Sequence, residues 1–169
     1  LEAWVKDEHL AKIFPNVRAA ILEAIEKGRW DHIIEAFRQE ITFGTAGIRG
    51  KAALTKDEFE LFVNNKLLAK ILKGPNTINE VVLLLKTAGV IRYMKKHALH
   101  KVAIGFDSRI AGSELAEIIA QLFIAASTAE HQFVVYLFDE PCPFPELSFG
   151  ITTKAVRADI GILISASHN

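Results

Sequence analysis

The chain lacks several features that mark broad classes of protein. It has a single cysteine among 169 residues, which excludes an internal disulfide and is typical of a reducing compartment. We expect this residue, Cys142, to be a buried thiol. No apolar run reaches the roughly 18 residues of a membrane span, and no basic segment precedes an apolar block as it does in a signal peptide. These absences favour a cytoplasmic protein with no membrane partner.

The chain also lacks an excess of either charge. Its 20 Lys and Arg residues balance its 20 Asp and Glu residues. We expect no nucleic-acid partner, because proteins that bind nucleic acid carry strongly basic faces, but a local phosphate site is compatible with this balance. Hydrophobic residues make up 50% of the chain and charged residues 24%. This composition is typical of a globular domain, and the length is sufficient for a sizeable core.

The first 40 residues repeat apolar positions at helical spacing and predict helices. We therefore divide the chain into a helical extension, residues 1–40, and a main domain, residues 41–169. The main domain opens with residues 41–50, which carry three glycines at three-residue spacing. Glycine at this density disfavours both a helix and a central strand, so this segment is predicted to be a loop.

Two capping-box patterns follow the loop. The first predicts an extra helix within about residues 51–73. In the second, Thr77 and Glu80 predict the start of a helix that runs to about His97. The spacing of its apolar residues predicts one buried face: Val81, Leu84, Leu85, Ala88 and Ile91.

The second half of the chain alternates strands and helices. Buried strands are predicted at residues 102–106, 133–138 and 159–164, with helices between them. This order predicts an α/β fold with a mostly parallel sheet and right-handed crossovers. Ligands of such sheets bind beyond the carboxyl ends of the strands. The residues that follow the first and third strands are therefore candidates for a site.

The glycine loop is the first candidate. Gly44, Gly47 and Gly50 allow backbone N–H groups to approach an anion, Thr45 adds a hydroxyl, and Arg49 adds a guanidinium suited to phosphate oxygens. The loop is neither a P-loop, since the Gly-Lys-Ser/Thr element is missing, nor a dinucleotide fingerprint, since no strand precedes it. The alternative is a structural turn with a surface arginine.

Ser167 is the second candidate, because a hydroxyl at a strand end can act as a nucleophile if a base or a strong electrophile is supplied. His168 is its sequence neighbour, and adjacent side chains usually diverge, so a simple Ser-His pair within this dipeptide is not expected. The hydrolase motif Gly-x-Ser-x-Gly is absent. The alternative is that Ser165 and Ser167 only satisfy hydrogen bonds of the turn.

Asp107 and Arg109 follow the first strand. An Asp two residues before an Arg at a strand end predicts a local ion pair that shapes the loop. His97 and His100 are three residues apart, but no cluster of Cys, Asp or Glu accompanies them, so a zinc site is not expected.

Taken together, these segments resemble the α-D-phosphohexomutase family. Residues 43–50, Phe-Gly-Thr-Ala-Gly-Ile-Arg-Gly, resemble its N-terminal glycine-arginine motif, and residues 164–169, Ile-Ser-Ala-Ser-His-Asn, resemble its active-site motif, usually written Thr-Ala-Ser-His-Asn-Pro. Residues 105–109 and the proline-rich residues 141–145 also match, in the same order. The resemblance covers most of residues 30–169 and is greatest to the phosphoglucomutase/phosphopentomutase branch.

The resemblance implies a role for each site residue. Ser167 would be the phosphoserine that donates and recovers the phosphoryl group, and its phosphate would also bind the metal. His168 is implied as a candidate acid or base, and Arg49 as a contact of the catalytic phosphate. Three further residues are implied to line the phosphate site: Thr45, Gly47 and Asn169. Asp107 and Arg109 are implied to support that site.

The resemblance also implies a fold, a reaction and cofactors. The fold would be a three-layer αβα domain with a mostly parallel mixed sheet. The reaction would interconvert 1-phosphate and 6-phosphate (or 5-phosphate) sugars, such as glucose 1-phosphate and glucose 6-phosphate, through a sugar bisphosphate. The cofactors would be Mg²⁺ and glucose 1,6-bisphosphate or an equivalent activator. The partners would be a phosphorylated sugar and the remaining domains of a parent chain.

Three departures from the family pattern affect these expectations. Ser165 stands where the family usually has Thr, and the predicted helix at about residues 51–73 is extra. The family's metal loop, sugar-recognition loop and C-terminal phosphate-binding domain have no counterpart in the sequence. We therefore expect a first-domain fragment that is inactive alone. The alternatives are a non-catalytic relative that senses phosphosugars or acts as a scaffold, and a hexose-bisphosphate synthase.

Overall fold

A computed structural model describes residues 1–44, 47–53, 72–109 and 111–165, which contain helices and short parallel strands joined by turns and loops. The chain divides into two units, Leu1–Val82 and Leu83–Asn169, and each is described by itself. Among the described residues, none of the helices is both long and apolar enough to cross a membrane. The predicted division at residue 40 stays a prediction.

Four helices open the first unit: α1 (Glu2–Lys6), α2 (Glu8–Ile13), α3 (Pro15–Glu26) and α4 (Trp30–Phe37). Pro15 stands in the first turn of α3, where its missing N–H costs no intrahelical bond. The centre of this unit's apolar cluster is a trio of buried residues: Val17, Ile21 and Val81. The predicted helices of residues 1–40 are thus confirmed.

Two short strands follow in the first unit, β1 (Lys51–Ala52) and β2 (Thr77–Ile78), which pair in parallel. Strand β1 lies at the start of the range predicted to contain an extra helix, and most of the rest of that range lies outside the described residues. The extra helix therefore stays a prediction. Helix α5 (Glu80–Lys96) begins directly after β2.

Asn79, and not Thr77 as predicted, caps α5. The Asn79 Oδ1 accepts the N–H groups of Val81 and Val82, each at 3.1 Å. Its Nδ2 donates to the carbonyl of Gly74 at 2.9 Å and to the Thr77 Oγ1 at 2.8 Å. Thr77 cannot cap the helix because it pairs with β1 as a strand residue. Asn79 thus binds the helix start and the preceding turn at once.

Replacing Asn79 by alanine should destabilise the first unit by about 2 kcal/mol, because it removes a helix cap and leaves buried polar groups without partners. Both tryptophans of the chain, Trp4 and Trp30, lie in this unit, so urea unfolding followed by tryptophan fluorescence reports on it. Asn16→Ala is the matched control, because Asn16 is exposed in the first turn of α3 and that helix has no side-chain cap. Equal unfolding midpoints for the two variants would contradict the assigned role.

The second unit contains a three-stranded sheet in the order β4–β3–β5, with both strand pairs parallel. Its strands are β3 (Lys101–Phe106), β4 (Val134–Leu137) and β5 (Ile160–Ile164). Helices α6 (Gly112–Ala125) and α7 (Phe144–Thr152) connect them. The central strand, β3, is buried along almost its whole length, as its continuous apolar run predicts for a strand covered on both faces. The predicted parallel α/β fold is confirmed.

Apolar clusters cover both faces of this sheet. On one face, Val102 and Ile104 pack with α6, whose Phe123 is completely buried, and with Met94 of α5. On the other face, Ala103 packs with Leu147 of α7 and with Cys142. Successive residues of β3 therefore face opposite helical layers, as the two-residue period of a strand requires.

The buried face of α5 differs from the prediction. Leu85 is 58% exposed and Ala88 is exposed, whereas Leu83, Thr87 and Met94 are buried. This helix is apolar on several sides near its start, so helical spacing alone could not identify the side that packs.

Candidate active site

The predicted site residues lie in two segments that belong to different units. The strand-end segment, residues 105–109 with Ser165, belongs to the second unit, and the glycine loop, residues 41–50, belongs to the first. Four predicted site residues lie outside the described residues: Thr45, Ser167, His168 and Asn169. Each segment has its own supporting contacts.

The strand-end segment is built where β3 and β5 finish side by side. Phe106 pairs with Ile164 in the parallel ladder, and the Asp107 N–H donates to the carbonyl of Ile164 at 3.0 Å. Ser165, which directly follows β5, therefore lies next to Asp107, at the carboxyl edge of the sheet. This is the edge at which parallel sheets bind ligands.

Asp107 and Arg109 form the predicted local ion pair. The Arg109 Nε lies 3.7 Å from the Asp107 Oδ2, and the Arg109 N–H donates to the Asp107 Oδ1 at 3.1 Å. The Asp107 side chain is only 8% exposed, whereas that of Arg109 is 56% exposed. The carboxylate thus stabilises the loop from within, while the guanidinium remains accessible to an anion.

Cys142 lies behind this edge as a buried thiol. Its N–H donates to the carbonyl of Phe106 at 2.9 Å, and its side chain is 2% exposed. Burial raises the pKa of the Cys142 thiol, which keeps it protonated and unreactive. The predicted buried thiol is confirmed, and its role is to pack under the strand ends.

The glycine loop is closed by its own backbone. Phe43 and Ile48 form an isolated antiparallel bridge, and the Gly44 N–H donates to the carbonyl of Gly47 at 2.7 Å. Gly47 has a φ of 152°, a conformation that side-chain-bearing residues rarely adopt. Arg49 follows the bridge, and its side chain is exposed. An exposed guanidinium beside a glycine-rich turn can bind phosphate oxygens through paired hydrogen bonds.

Three residues that support this loop were not identified from the sequence: Glu35, Lys51 and Asn76. Lys51 Nζ lies 2.7 Å from Glu35 Oε1 of α4, and this hydrogen bond and the positive charge of Lys51 lower the pKa of Glu35. Asn76 donates through Nδ2 to the carbonyl of Glu35 at 2.7 Å, across 41 residues of sequence. No local sequence pattern could reveal these long-range contacts. The helix cap Asn79 is different, because an Asn directly before a helix is a recognisable N-cap signal.

The fold and the strand-end segment define an α/β domain whose candidate ligand site lies at the carboxyl edge of a parallel sheet. The chain belongs to the phosphoglucomutase/phosphomannomutase family: residues 40–169 match the model of its alpha/beta/alpha domain I. The resemblance expressed from the sequence is therefore confirmed at the level of the family and of its first domain.

Individual relatives agree with this assignment. A phosphoglucomutase of Staphylococcus aureus strain MRSA252 is 34% identical over 171 residues, covering 99% of this chain and 24% of that protein. A phosphoglucomutase of strain USA300 is 34% identical over 136 residues, covering 80% of this chain and 20% of that protein. The chain thus spans about a quarter or less of the length of these relatives. No solved structure is significantly similar to it.

Proposed function

We propose that this chain is the first domain of a phosphosugar mutase and that Ser167 is its nucleophile. The reaction would interconvert 1-phosphate and 6-phosphate (or 5-phosphate) sugars, such as glucose 1-phosphate and glucose 6-phosphate, through a phosphoserine and a sugar bisphosphate. The observation that carries the proposal is the position of Ser165 at the carboxyl edge of the sheet, beside Asp107. Ser167 follows two residues later, so covalent geometry keeps the two Cα atoms within about 7 Å.

Charge balance supports the roles proposed for the arginines. A phosphate on Ser167 would carry roughly −1.5 to −2 charges, and phosphoryl transfer depends mainly on positioning and on neutralising such charge. Arg109 is the accessible cation on the same edge, and it is held by Asp107. We propose that Arg49, from the glycine loop, contacts the catalytic phosphate, with Gly47 and Thr45 shaping that loop.

We propose that His168 and Asn169 complete the phosphate site beside the nucleophile. An imidazole next to the reacting serine can exchange a proton with a sugar hydroxyl, which is the usual contribution of histidine to general acid–base catalysis. The amide of Asn169 can donate a hydrogen bond to a phosphate oxygen.

Mg²⁺ fits the ligand that Ser167 would offer, because phosphate oxygens are hard anionic donors. The bound ion would neutralise charge on the phosphoryl group during transfer. Within residues 1–44, 47–53, 72–109 and 111–165, no group of three or more His, Cys, Asp or Glu residues could hold a metal ion. We propose that this chain supplies the phosphoserine ligand and that the remaining domains of the parent protein supply the others.

The test compares the full-length parent with the 169-residue chain. The full-length protein, given Mg²⁺ and a trace of glucose 1,6-bisphosphate, should convert glucose 1-phosphate to glucose 6-phosphate, whereas the chain alone should not, because it lacks the partner domains. Mass spectrometry of the full-length protein should locate phosphate on Ser167. Robust turnover by the isolated chain would contradict the proposed division of the site.

Two other outcomes separate the alternative functions. Bisphosphate production that requires a separate phosphoryl donor would identify a hexose-bisphosphate synthase. No conversion of any sugar phosphate, together with no phosphate on Ser167, would favour a non-catalytic relative that senses phosphosugars or acts as a scaffold.

A further inference from the structure

We propose that helix α4, which lies before the residues matched to the domain I model, positions the glycine loop and its Arg49. The proposal rests on the function proposed above for Arg49, and it assigns positioning roles to Asn76 and Glu35. The contacts that support it all lie within the first unit.

The glycine loop continues directly into β1, a strand too short to be stable by itself. It pairs with β2 over only two residues, Lys51 with Thr77 and Ala52 with Ile78, extended by one bond from the Ala53 N–H to the Ile78 carbonyl at 3.0 Å. Isolated two-stranded pairs are at best marginally stable in water. The position of Arg49, two residues before β1, therefore depends on what holds the turn that leads into β2.

The last backbone carbonyls of α4 bind the turn that leads into β2. The last carbonyls of a helix have no intrahelical partner. Asn76 donates hydrogen bonds to two of them: its N–H donates to the Ala36 carbonyl at 3.1 Å, and its Nδ2 donates to the Glu35 carbonyl at 2.7 Å. A single residue therefore fastens the turn to the helix end through both main chain and side chain.

Close packing and charge strengthen the same contact. A Cβ atom on Gly74 would lie 2.3 Å from the Ala36 carbonyl oxygen, so only glycine lets the two backbones approach this closely. The Ile41 N–H, at the start of the glycine loop, donates to the Pro75 carbonyl at 2.8 Å. The ion pair between Glu35 and Lys51 connects α4 to β1 itself. Helix α4 thus contacts the turn and the strand that follows the glycine loop, and the turn itself contacts the start of the loop.

The family match begins at residue 40, whereas α4 ends at Phe37. Helix α4 would then contribute to the phosphate site by positioning Arg49, although it lies outside the residues matched to the domain I model. Loss of its contacts should displace Arg49 and slow phosphoryl transfer, while sugar binding by the other domains should be affected little.

The test uses Asn76→Asp in the full-length parent, because aspartate keeps the size of the side chain but replaces the donor with an anion facing a carbonyl. Hydrogen–deuterium exchange of residues 47–53 should accelerate by about fivefold or more. The kcat for glucose 1-phosphate should fall roughly tenfold with little change in KM. Val17→Ala is the control, because Val17 is buried in the helical cluster and takes no part in the hydrogen bonds and the ion pair of this contact; it should lower the melting temperature without either effect.

Unchanged exchange in residues 47–53 would overturn the proposal. So would faster exchange with a wild-type kcat, or a kcat loss in Val17→Ala equal to that of Asn76→Asp. If the wild-type protein proves not to be a mutase, the proposed function fails, and with it the role given to Arg49. The exchange measurement then still decides whether α4 holds the loop.

Discussion

Replacing Ser167 by alanine in the full-length parent is expected to abolish interconversion of glucose 1-phosphate and glucose 6-phosphate, with a loss on the order of 10⁴-fold or more. Alanine cannot form the phosphate ester that stores the phosphoryl group while the sugar bisphosphate turns over. The variant should also take up no phosphate from glucose 1,6-bisphosphate. A coupled assay for glucose 6-phosphate and intact-protein mass spectrometry measure the two effects independently.

Ser165→Ala is the matched control for this experiment. Ser165 directly follows β5, two residues before Ser167 in the sequence, and its substitution removes a hydroxyl of the same kind. If Ser167 is the nucleophile, the Ser165 variant should keep most of the activity and all of the phosphate uptake. Equal activity in wild type and Ser167→Ala would mean that Ser167 is a turn residue, and the proposed mechanism would then be wrong.

Replacing Arg49 by alanine is expected to lower kcat about 10²- to 10³-fold, because it removes a preorganised donor and positive charge from the transferring phosphate. Arg49→Lys should recover only part of this loss, since an ammonium cannot make the paired hydrogen bonds of a guanidinium. Steady-state kinetics on the full-length protein would give both values.

Arg92→Ala is a suitable control for the loss of one positive charge. Arg92 is an exposed residue of α5, outside both segments of the candidate site. Its substitution should leave kcat and KM close to those of the wild type. If the Arg92 variant loses as much activity as Arg49→Ala, the effect comes from the net charge of the protein, and the specific contact proposed for Arg49 does not exist.

Much of the fold could be predicted because its signals are local. The strands predicted at residues 102–106, 133–138 and 159–164 differ from β3, β4 and β5 by one residue at one or both ends. Each is a short apolar run bounded by turn residues, which a strand requires whatever surrounds it. The glycine loop was predictable for the same reason, since glycines at that density disfavour both a helix and a central strand.

Predictions that needed a choice between neighbouring positions were less successful. Thr77 and Asn79 are both acceptable helix caps, and only the pairing of Thr77 with β1 assigns the cap to Asn79. The predicted roles of Arg49 and Ser167 stay predictions, because they concern contacts with a substrate. The Asp107–Arg109 ion pair was predictable, since its members are two residues apart and share one loop.

The sequence by itself determined that the chain is an α/β domain with hydroxyl-bearing and charged residues following two of its strands, because helix and strand periods, glycine spacing and motif order are properties of neighbouring residues. The tertiary structure alone decided which face of α5 is buried, that Asp107 meets Ile164 at one edge, and that α4 holds the turn before β2 through Asn76. These contacts join residues distant in sequence, and they depend on how whole elements pack and not on the preferences of any one segment.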